Sequence, residues 1–203
     1  VSLLSLLVLL NVFSHFANSN DSRTIDFNDL SLEQGLKFHT QFSQAEQTLG
    51  VEGMAWRTDG FSTWASIQQG INSNEFSIGF WVVLESYPSD QERPANQLKP
   101  SSFINQRSKM EGFDIYIDTF GRWGVWFGSG TSERKIQAKT TFPLYEWVHV
   151  GLTVCAAKEA TSQQVTLYLN NQIVAESSFE KETLLLPNVP ILLGKPTIEE
   201  NII

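Results

Sequence analysis

The sequence predicts an all-β fold, a two-sheet antiparallel sandwich of the jelly-roll type. Apolar and polar residues alternate with period two in several short runs, which is the pattern of strands with one buried face. Turn residues such as Asn170 and Asn171 separate consecutive runs. No sustained helical apolar stripe follows residue 30, and 203 residues suit one domain of this kind.

The predicted strands follow one another along the second half of the chain. They are Phe76 to Leu84, Phe113 to Asp118, Arg122 to Gly128, Trp147 to Cys155 and Val165 to Asn170, with short strands at Leu184 to Leu186 and Ile191 to Leu193. Tyr87 to Ser102 is rich in proline and polar residues and is predicted to be a long surface loop. Ser31 to Phe38 is expected to form one helical turn at most.

Each alternating run has one wholly apolar set, which we expect to face the core between the sheets. That set comprises Phe76, Ile78, Phe80, Val82 and Leu84; Phe113, Ile115 and Ile117; Trp123, Val125 and Phe127; Val148, Val150, Leu152 and Val154; and Val165, Leu167 and Leu169.

The opposite sets contain aromatic residues, which is unusual for a face that is only solvated. The candidate ligand-binding residues are Trp81, Tyr116, Trp126, His149 and Tyr168. Flat rings stack on sugar rings, and polar neighbours hydrogen-bond hydroxyl groups, so this set predicts a glycan platform. The alternative is that loops such as Tyr87 to Ser102 fold over these rings and bury them.

The first residues differ in composition from the rest. Val1 to Phe13 is an uncharged apolar run, too short for a bilayer span of about 20 residues. Ala17 and Ser19 match the small residues that precede a signal-peptidase site. We predict a signal peptide over residues 1–19, clipped at its start, and a domain over residues 20–203. The mature protein is expected to be secreted, to the extracellular space or the periplasm.

Charge and cysteine content narrow the function classes. The formal net charge is −8, which repels phosphate backbones and anionic lipid heads. We therefore expect no nucleic-acid partner and no membrane binding after leader removal, whereas a neutral sugar or Ca²⁺ meets no such barrier. Cys155 is the only cysteine, so no disulfide can staple the domain.

Five segments, in the correct order, resemble a known family. Phe76 to Val82 is similar to its F-S/T-I/V-x-F/A-W-V/I strand, and Glu146 to Thr153 to its W-x-H strand. Val165 to Gln172 is similar to its V-x-L-Y-V/L-N-G hairpin, with Asn171 in place of glycine. The other two are Gly50 to Gly60 and Pro190 to Lys195. The family is the laminin G-like group of concanavalin A-like lectin/glucanase jelly rolls.

The resemblance implies a carbohydrate-binding or accessory module of a secreted, multidomain, glycan-active protein. Its partner would be a glycan or a downstream catalytic domain of the same chain. A signal peptide followed by such a module resembles some family 32 glycoside hydrolases, which cleave fructans and sucrose. The alternatives are a structural domain that stabilises a downstream hydrolase of this type, and an adhesin-type protein-interaction module. Family members end in a further strand that this sequence lacks, so we expect the jelly roll to be short of its last strand.

The resemblance also bears on metal and catalysis. Relatives bind Ca²⁺ through loop carboxylates, which makes Asp26, Glu52 and Asp59 candidate ligands, although solvated surface acids would look the same. The E-x-D-x-x-E signature of laminarinase relatives is missing. Asp114 and Asp118 would lie about 13 Å apart along a strand, too far for a retaining carboxyl pair. We therefore predict no catalytic residue in this segment.

Overall fold

A computed structural model describes residues 35–40, 46–59, 62–90, 98–157, 161–180 and 184–195. The secondary structure of these residues is almost entirely extended, apart from a short 3₁₀ helix at Pro88–Asp90. The strands are β1 (Leu36–Thr40), β2 (Glu46–Leu49), β3 (Met54–Arg57), β4 (Thr63–Ile67), β5 (Phe76–Val82), β6 (Ser101–Ser108), β7 (Glu111–Ile117), β8 (Arg122–Ser129), β9 (Glu133–Thr141), β10 (Val148–Ala156), β11 (Ser162–Leu169), β12 (Gln172–Glu180) and β13 (Ile191–Leu193).

The strands form two facing sheets and a small hairpin. The seven-stranded sheet has the order β1-β4-β13-β6-β7-β8-β9, and the four-stranded sheet has the order β12-β11-β10-β5. Strands β2 and β3 pair with each other. All these pairings are antiparallel, and the order confirms the predicted jelly-roll sandwich.

The core lies between the two sheets and contains the apolar set that the alternation predicts. All the predicted inward residues are buried except Leu169, which is half-buried. Phe76 meets Phe113 across the core with ring centroids 5.2 Å apart, and Phe80 meets Phe103 at 5.9 Å. Each fully buried ring of this kind contributes about 1.5–3 kcal/mol. The core therefore holds the sheets together without a disulfide.

Several strands depart from the sequence prediction. Leu36–Thr40 is a strand, not a helical turn, because it pairs with β4 along its whole length. Strand β6 begins at Ser101, inside the end of the predicted loop, and Leu184 to Leu186 is not a strand, although Leu184 is buried. The strands β2, β3 and β4 were not predicted. Nor were β9 and β12, which lie at the edges of their sheets and carry few large apolar residues.

Some predicted features lie outside the described residues. These are the signal peptide over residues 1–19, the candidate ligand Asp26, and the centre of the predicted loop at residues 91–97. In the part of the chain that the structure describes, no helix is long and apolar enough to cross a membrane.

Candidate functional site

The five candidate ligand-binding residues lie on two different sheets. Trp81, His149 and Tyr168 stand on the outer face of the four-stranded sheet, where they alternate with core residues. Tyr116 and Trp126 stand on the outer face of the seven-stranded sheet. Because the sheets pack by their inner faces, the two outer faces point in opposite directions. A single platform built from all five residues is therefore not formed.

Trp126 is covered by its neighbours. The Arg107 guanidinium carbon lies 3.9 Å from the centre of the indole ring, and Trp126 Nε1 donates a hydrogen bond to Glu133 Oε2 at 2.8 Å. The underside of the ring lies against Gly128, where an added Cβ would come within 2.3 Å of Trp126 Cη2. Only 3% of the residue is exposed, so its ring is not open to a ligand. The cover comes from an arginine on β6, not from the predicted loop.

Tyr116 is half-buried on the same outer face, opposite Ser102 and Gly124. Burial raises the pKa of its phenol, and the nearby carboxylates of Asp118 and Asp114 raise the pKa further. The hydroxyl therefore stays neutral at physiological pH. Tyr116 can hydrogen-bond a ligand, but it is separated from Trp81, His149 and Tyr168 by the thickness of the sandwich.

The outer face of the four-stranded sheet contains a depression of about 520 Å³. It is lined by Trp81, Trp147, His149, Asn170 and Asn171. Two indole rings, an imidazole and two carboxamides thus meet in one place. Two of these residues, Trp81 and His149, are among the sequence-predicted candidates.

Small residues let the large side chains lie flat on this sheet. Gly79 and Gly151 are directly opposite each other on β5 and β10. A Cβ at Gly79 would lie 3.2 Å from His149 Nε2, and one at Gly151 would lie 3.2 Å from Tyr168 Cβ. The imidazole and the phenol ring therefore occupy the space that the two glycines leave open. Trp147, which directly precedes β10, packs on a small buried patch formed by Ala55 and Val83.

The β11–β12 turn supplies the two carboxamides. Asn170 and Asn171 have φ angles of 49° and 64°, the left-handed pair of a tight hairpin turn. Asn170 N donates to His149 O at 2.8 Å, and Asn170 Oδ1 accepts from His149 N at 2.8 Å. The turn is thus tied to the strand that carries the imidazole. The carboxamide oxygen of Asn170 is used in this bond, so its NH₂ group is the part left for a ligand.

His149 is held as a neutral imidazole. Burial lowers its pKa below the usual 6.5, and its Nδ1 is buried with no hydrogen-bond partner among the described residues. The ring meets Trp81 edge to face, with centroids 5.3 Å apart. At neutral pH the depression therefore presents aromatic faces and uncharged polar groups.

Sequence reasoning did not select Trp147, Asn170 or Asn171 as site residues. Trp147 was the first residue of a predicted strand, and Asn170 and Asn171 were recognised only as turn residues. A signal for all three was available. Trp147 is two residues before His149, so the two side chains point to the same side of the sheet. Asn170 and Asn171 directly follow β11, which pairs with the strand that carries His149. The sequence could not show that Trp147 and the turn reach the same depression.

Of the three candidate calcium ligands, Glu52 and Asp59 lie within the described structure. Asp59 Oδ1 accepts hydrogen bonds from the backbone of Ser62 at 2.7 Å and Thr63 at 2.8 Å, and Oδ2 accepts one from the Ser62 hydroxyl. Glu52 is exposed near the tip of the β2–β3 hairpin. Among the described residues, no group of three or more His, Cys, Asp or Glu could hold a metal ion. Calcium binding stays a prediction.

Asp114 of β7 and Asp118, directly after it, have structural neighbours. Asp118 accepts hydrogen bonds from the backbone nitrogens of Phe120 and Arg122, both at 2.9 Å, and from Arg122 Nε at 3.0 Å. It therefore closes the β7–β8 turn, as an aspartate at the start of a turn commonly does. Asp114 is only 3% exposed and pairs in register with Trp126.

Two-sheet antiparallel jelly rolls occur in lectin domains, among other proteins. The family described as the concanavalin A-like lectin/glucanases superfamily matches residues 57–199. The chain belongs to this superfamily, which confirms the resemblance seen in the sequence.

Solved structures of the same fold come from several kinds of protein. One is domain 4 of AbnA, a GH43 extracellular arabinanase from Geobacillus stearothermophilus, in complex with arabinotriose (TM-score 0.57, 16% identity, 95% of this chain and 85% of that chain). Another is HCR/D-Sa-GBL1/C (TM-score 0.55, 13% identity, 97% of this chain and 44% of that chain). A third is the binding domain of Botulinum Neurotoxin DC in complex with SialylT (TM-score 0.51, 12% identity, 95% and 48%).

These identities are low enough that the likeness extends to the fold alone. The chain spans less than half the length of the second and third of these structures. No curated protein matches the chain by sequence.

Proposed function

We propose that the chain is a carbohydrate-binding module and that glycan binds in the depression lined by Trp81 and Trp147. The observation that carries this proposal is the meeting of two indole rings, a neutral imidazole and two carboxamides in one depression. Membership of a lectin and glucanase superfamily supports it. So do the glycan complexes of two structures with the same fold, the arabinanase domain and the neurotoxin binding domain.

The chemistry of the depression suits a sugar. The faces of the indole rings can stack on the C–H faces of a sugar ring, which buries apolar area on both sides. The NH₂ groups of Asn170 and Asn171 are donors for hydroxyl or ring oxygens, and exposed amides lose little by exchanging water for hydroxyl groups. Binding without cleavage is the expected result, because no carboxylate is among the described residues that line the depression.

We place the module in a secreted, multidomain, glycan-active protein. The apolar leader with its small-residue cleavage site supports secretion, to the extracellular space or the periplasm. A downstream glycoside hydrolase, of the fructan- and sucrose-cleaving type or another, would supply the catalysis. The arabinanase domain shows that this fold occurs within an extracellular glycan-cleaving enzyme.

A second candidate function is a structural domain that packs on and stabilises a downstream hydrolase. It is favoured by two exposed aromatic residues, Phe120 at 66% and Tyr145 at 76% exposure. They lie in adjacent loops, because Phe142 N donates to Gly121 O at 2.6 Å between those loops. An apolar contact of this kind suits a neighbouring domain, or the protein partner of an adhesin-type module.

Titration calorimetry, guided by a glycan-array screen, tests the first proposal. Wild-type protein should bind at least one glycan, and Trp81→Ala should abolish that binding because it removes a stacking face. Phe120→Ala is the matched control, since it removes an aromatic ring that does not line the depression and should leave affinity unchanged. Loss of binding in Phe120→Ala with full binding in Trp81→Ala would contradict the proposed site.

The second candidate predicts a different outcome. In a longer chain that includes a hydrolase domain, Phe120→Ala and Tyr145→Ala should lower the melting temperature of the hydrolase. Trp81→Ala should leave that temperature unchanged. Two independent melting transitions, unaffected by either loop variant, would exclude the structural role.

A further inference from the structure

The depression carries no formal charge at neutral pH. Of the described residues that line it, two are tryptophan, two are asparagine and one is His149. Because burial lowers the pKa of His149, its imidazole is neutral under these conditions. No lysine or arginine is among these lining residues, so the depression offers a ligand carboxylate no cationic partner.

The charged side chains on the rest of this outer face are acidic. The register of β5, β10, β11 and β12 places Glu176 opposite Thr166 and Glu180 opposite Ser162 on this outer face. These two glutamates are the only charged residues among the outward-facing residues of the four strands. Arg57 of β3, two residues after the Ala55 that packs against Trp147, bonds Glu85 through two contacts of 3.0 and 3.2 Å. The chain as a whole has a net charge of −8.

Acidic and neutral sugars should bind such a surface with different affinities. A hydroxyl group can exchange water for the carboxamides of the turn at little cost. A carboxylate or sulfate group would lose water without gaining an arginine or lysine from the described lining. Sites that recognise anions commonly use cationic side chains, and none is among the described residues of the lining.

We infer that this site selects neutral oligosaccharides and rejects sialylated, uronic-acid and sulfated ones. The inference rests on the proposed glycan-binding function and adds the ligand class to it. The specificity-determining residues are the uncharged lining residues, above all Asn171 at the exposed turn and the neutral His149 on β10.

Matched pairs of ligands test the selectivity. Each neutral oligosaccharide that binds on the array is measured by calorimetry beside the same oligosaccharide carrying one sialic acid, uronic acid or sulfate. The acidic member should bind at least about tenfold more weakly, since a buried unpaired group costs this much or more. The experiment uses the whole chain, wild type and Trp81→Ala.

The outcomes separate this inference from the function it rests on. If no glycan of either class binds, the proposed function fails. If an acidic member binds as tightly as its neutral partner and Trp81→Ala weakens both, the function holds and the selectivity is overturned. If acidic binding is insensitive to Trp81→Ala, it occurs elsewhere, and the selectivity of this site is supported.

Discussion

Replacing Gly79 by alanine should weaken ligand binding while leaving the stability of the domain almost unchanged. The new Cβ would lie 3.2 Å from His149 Nε2 and 3.4 Å from His149 Cε1, closer than an ordinary contact of about 3.5–4.0 Å. The imidazole must therefore move by a few tenths of an ångström. Since the glycine lies beneath the ring, the ring moves outwards, into the space that a ligand would occupy.

Two opposing effects set the size of the stability change. Alanine in a strand is about 0.5–1 kcal/mol more favourable than glycine, because the unfolded chain loses less freedom. A displaced, off-rotamer side chain costs about 0.5–1.5 kcal/mol. The free energy of unfolding should therefore change by less than about 1 kcal/mol. The same displacement should weaken glycan affinity about fivefold, equivalent to about 1 kcal/mol.

Calorimetry on a bound glycan and urea unfolding measure the two effects. Ser77→Ala, two residues earlier on the same face of β5, is the control and should change neither quantity. An affinity for Gly79→Ala within twofold of wild type would refute the idea that His149 shapes the binding surface. A loss of unfolding free energy large enough to leave part of the protein unfolded would also count against that idea, because unfolding would then explain the weaker binding.

Three further predictions concern stability. Arg107→Ala should cost about 0.5–2 kcal/mol of unfolding free energy, because Trp126 loses its cation–π cap, and calorimetry should show glycan affinity unchanged. Burial lowers the pKa of His149 in the folded protein below 6.5, so as the pH falls the unfolded chain binds a proton before the folded one does. Stability should therefore fall as the pH drops below about 6.5, until the folded imidazole is also protonated. His149→Gln should show a shallower fall in thermal melts. Asn170→Ala should lower stability by about 1–2 kcal/mol in urea unfolding, since alanine at φ 49° is strained and the bond to His149 N is lost.

The alternation of side chains was enough to predict the fold class and the inward residues of five strands. The run from Trp147 to Cys155 gave the strand, its inward residues and the outward position of His149, because period two is a local property of the backbone. The left-handed turn at Asn170 and Asn171 was equally local, since few other residues tolerate that conformation.

Sheet membership was beyond this reasoning. Strands β7 and β8 alternate like β10 and β11, but the chain crosses to the other sheet between β9 and β10. Alternation shows that a residue faces outwards and does not show which outer face it is on. This is why Tyr116 and Trp126 were grouped with residues on the opposite side of the sandwich.

The packing of Arg107 over Trp126 could not be predicted from the sequence either. Arg107 lies on β6, which starts within a stretch whose prolines and polar residues predicted a loop. Gln106 shows why a polar strand is stable there, because its side chain bonds the backbone of Ile71 and Pro187 and is buried. Such contacts join residues far apart in the chain, so local patterns do not reveal them.

The most direct test of the glycan site is a titration followed through the tryptophan indole N–H signals in a two-dimensional ¹⁵N NMR spectrum. The six tryptophans of the chain report on three environments. Trp81 and Trp147 line the depression, and Trp56 and Trp123 are fully buried. Trp64 and Trp126 are on the other outer face. His39 stacks on Trp64, and Arg107 lies over Trp126. A bound neutral oligosaccharide should shift the signals of Trp81 and Trp147 and leave the other four in place. Shifts confined to Trp64 and Trp126 would put the ligand on the opposite face and contradict the proposed site.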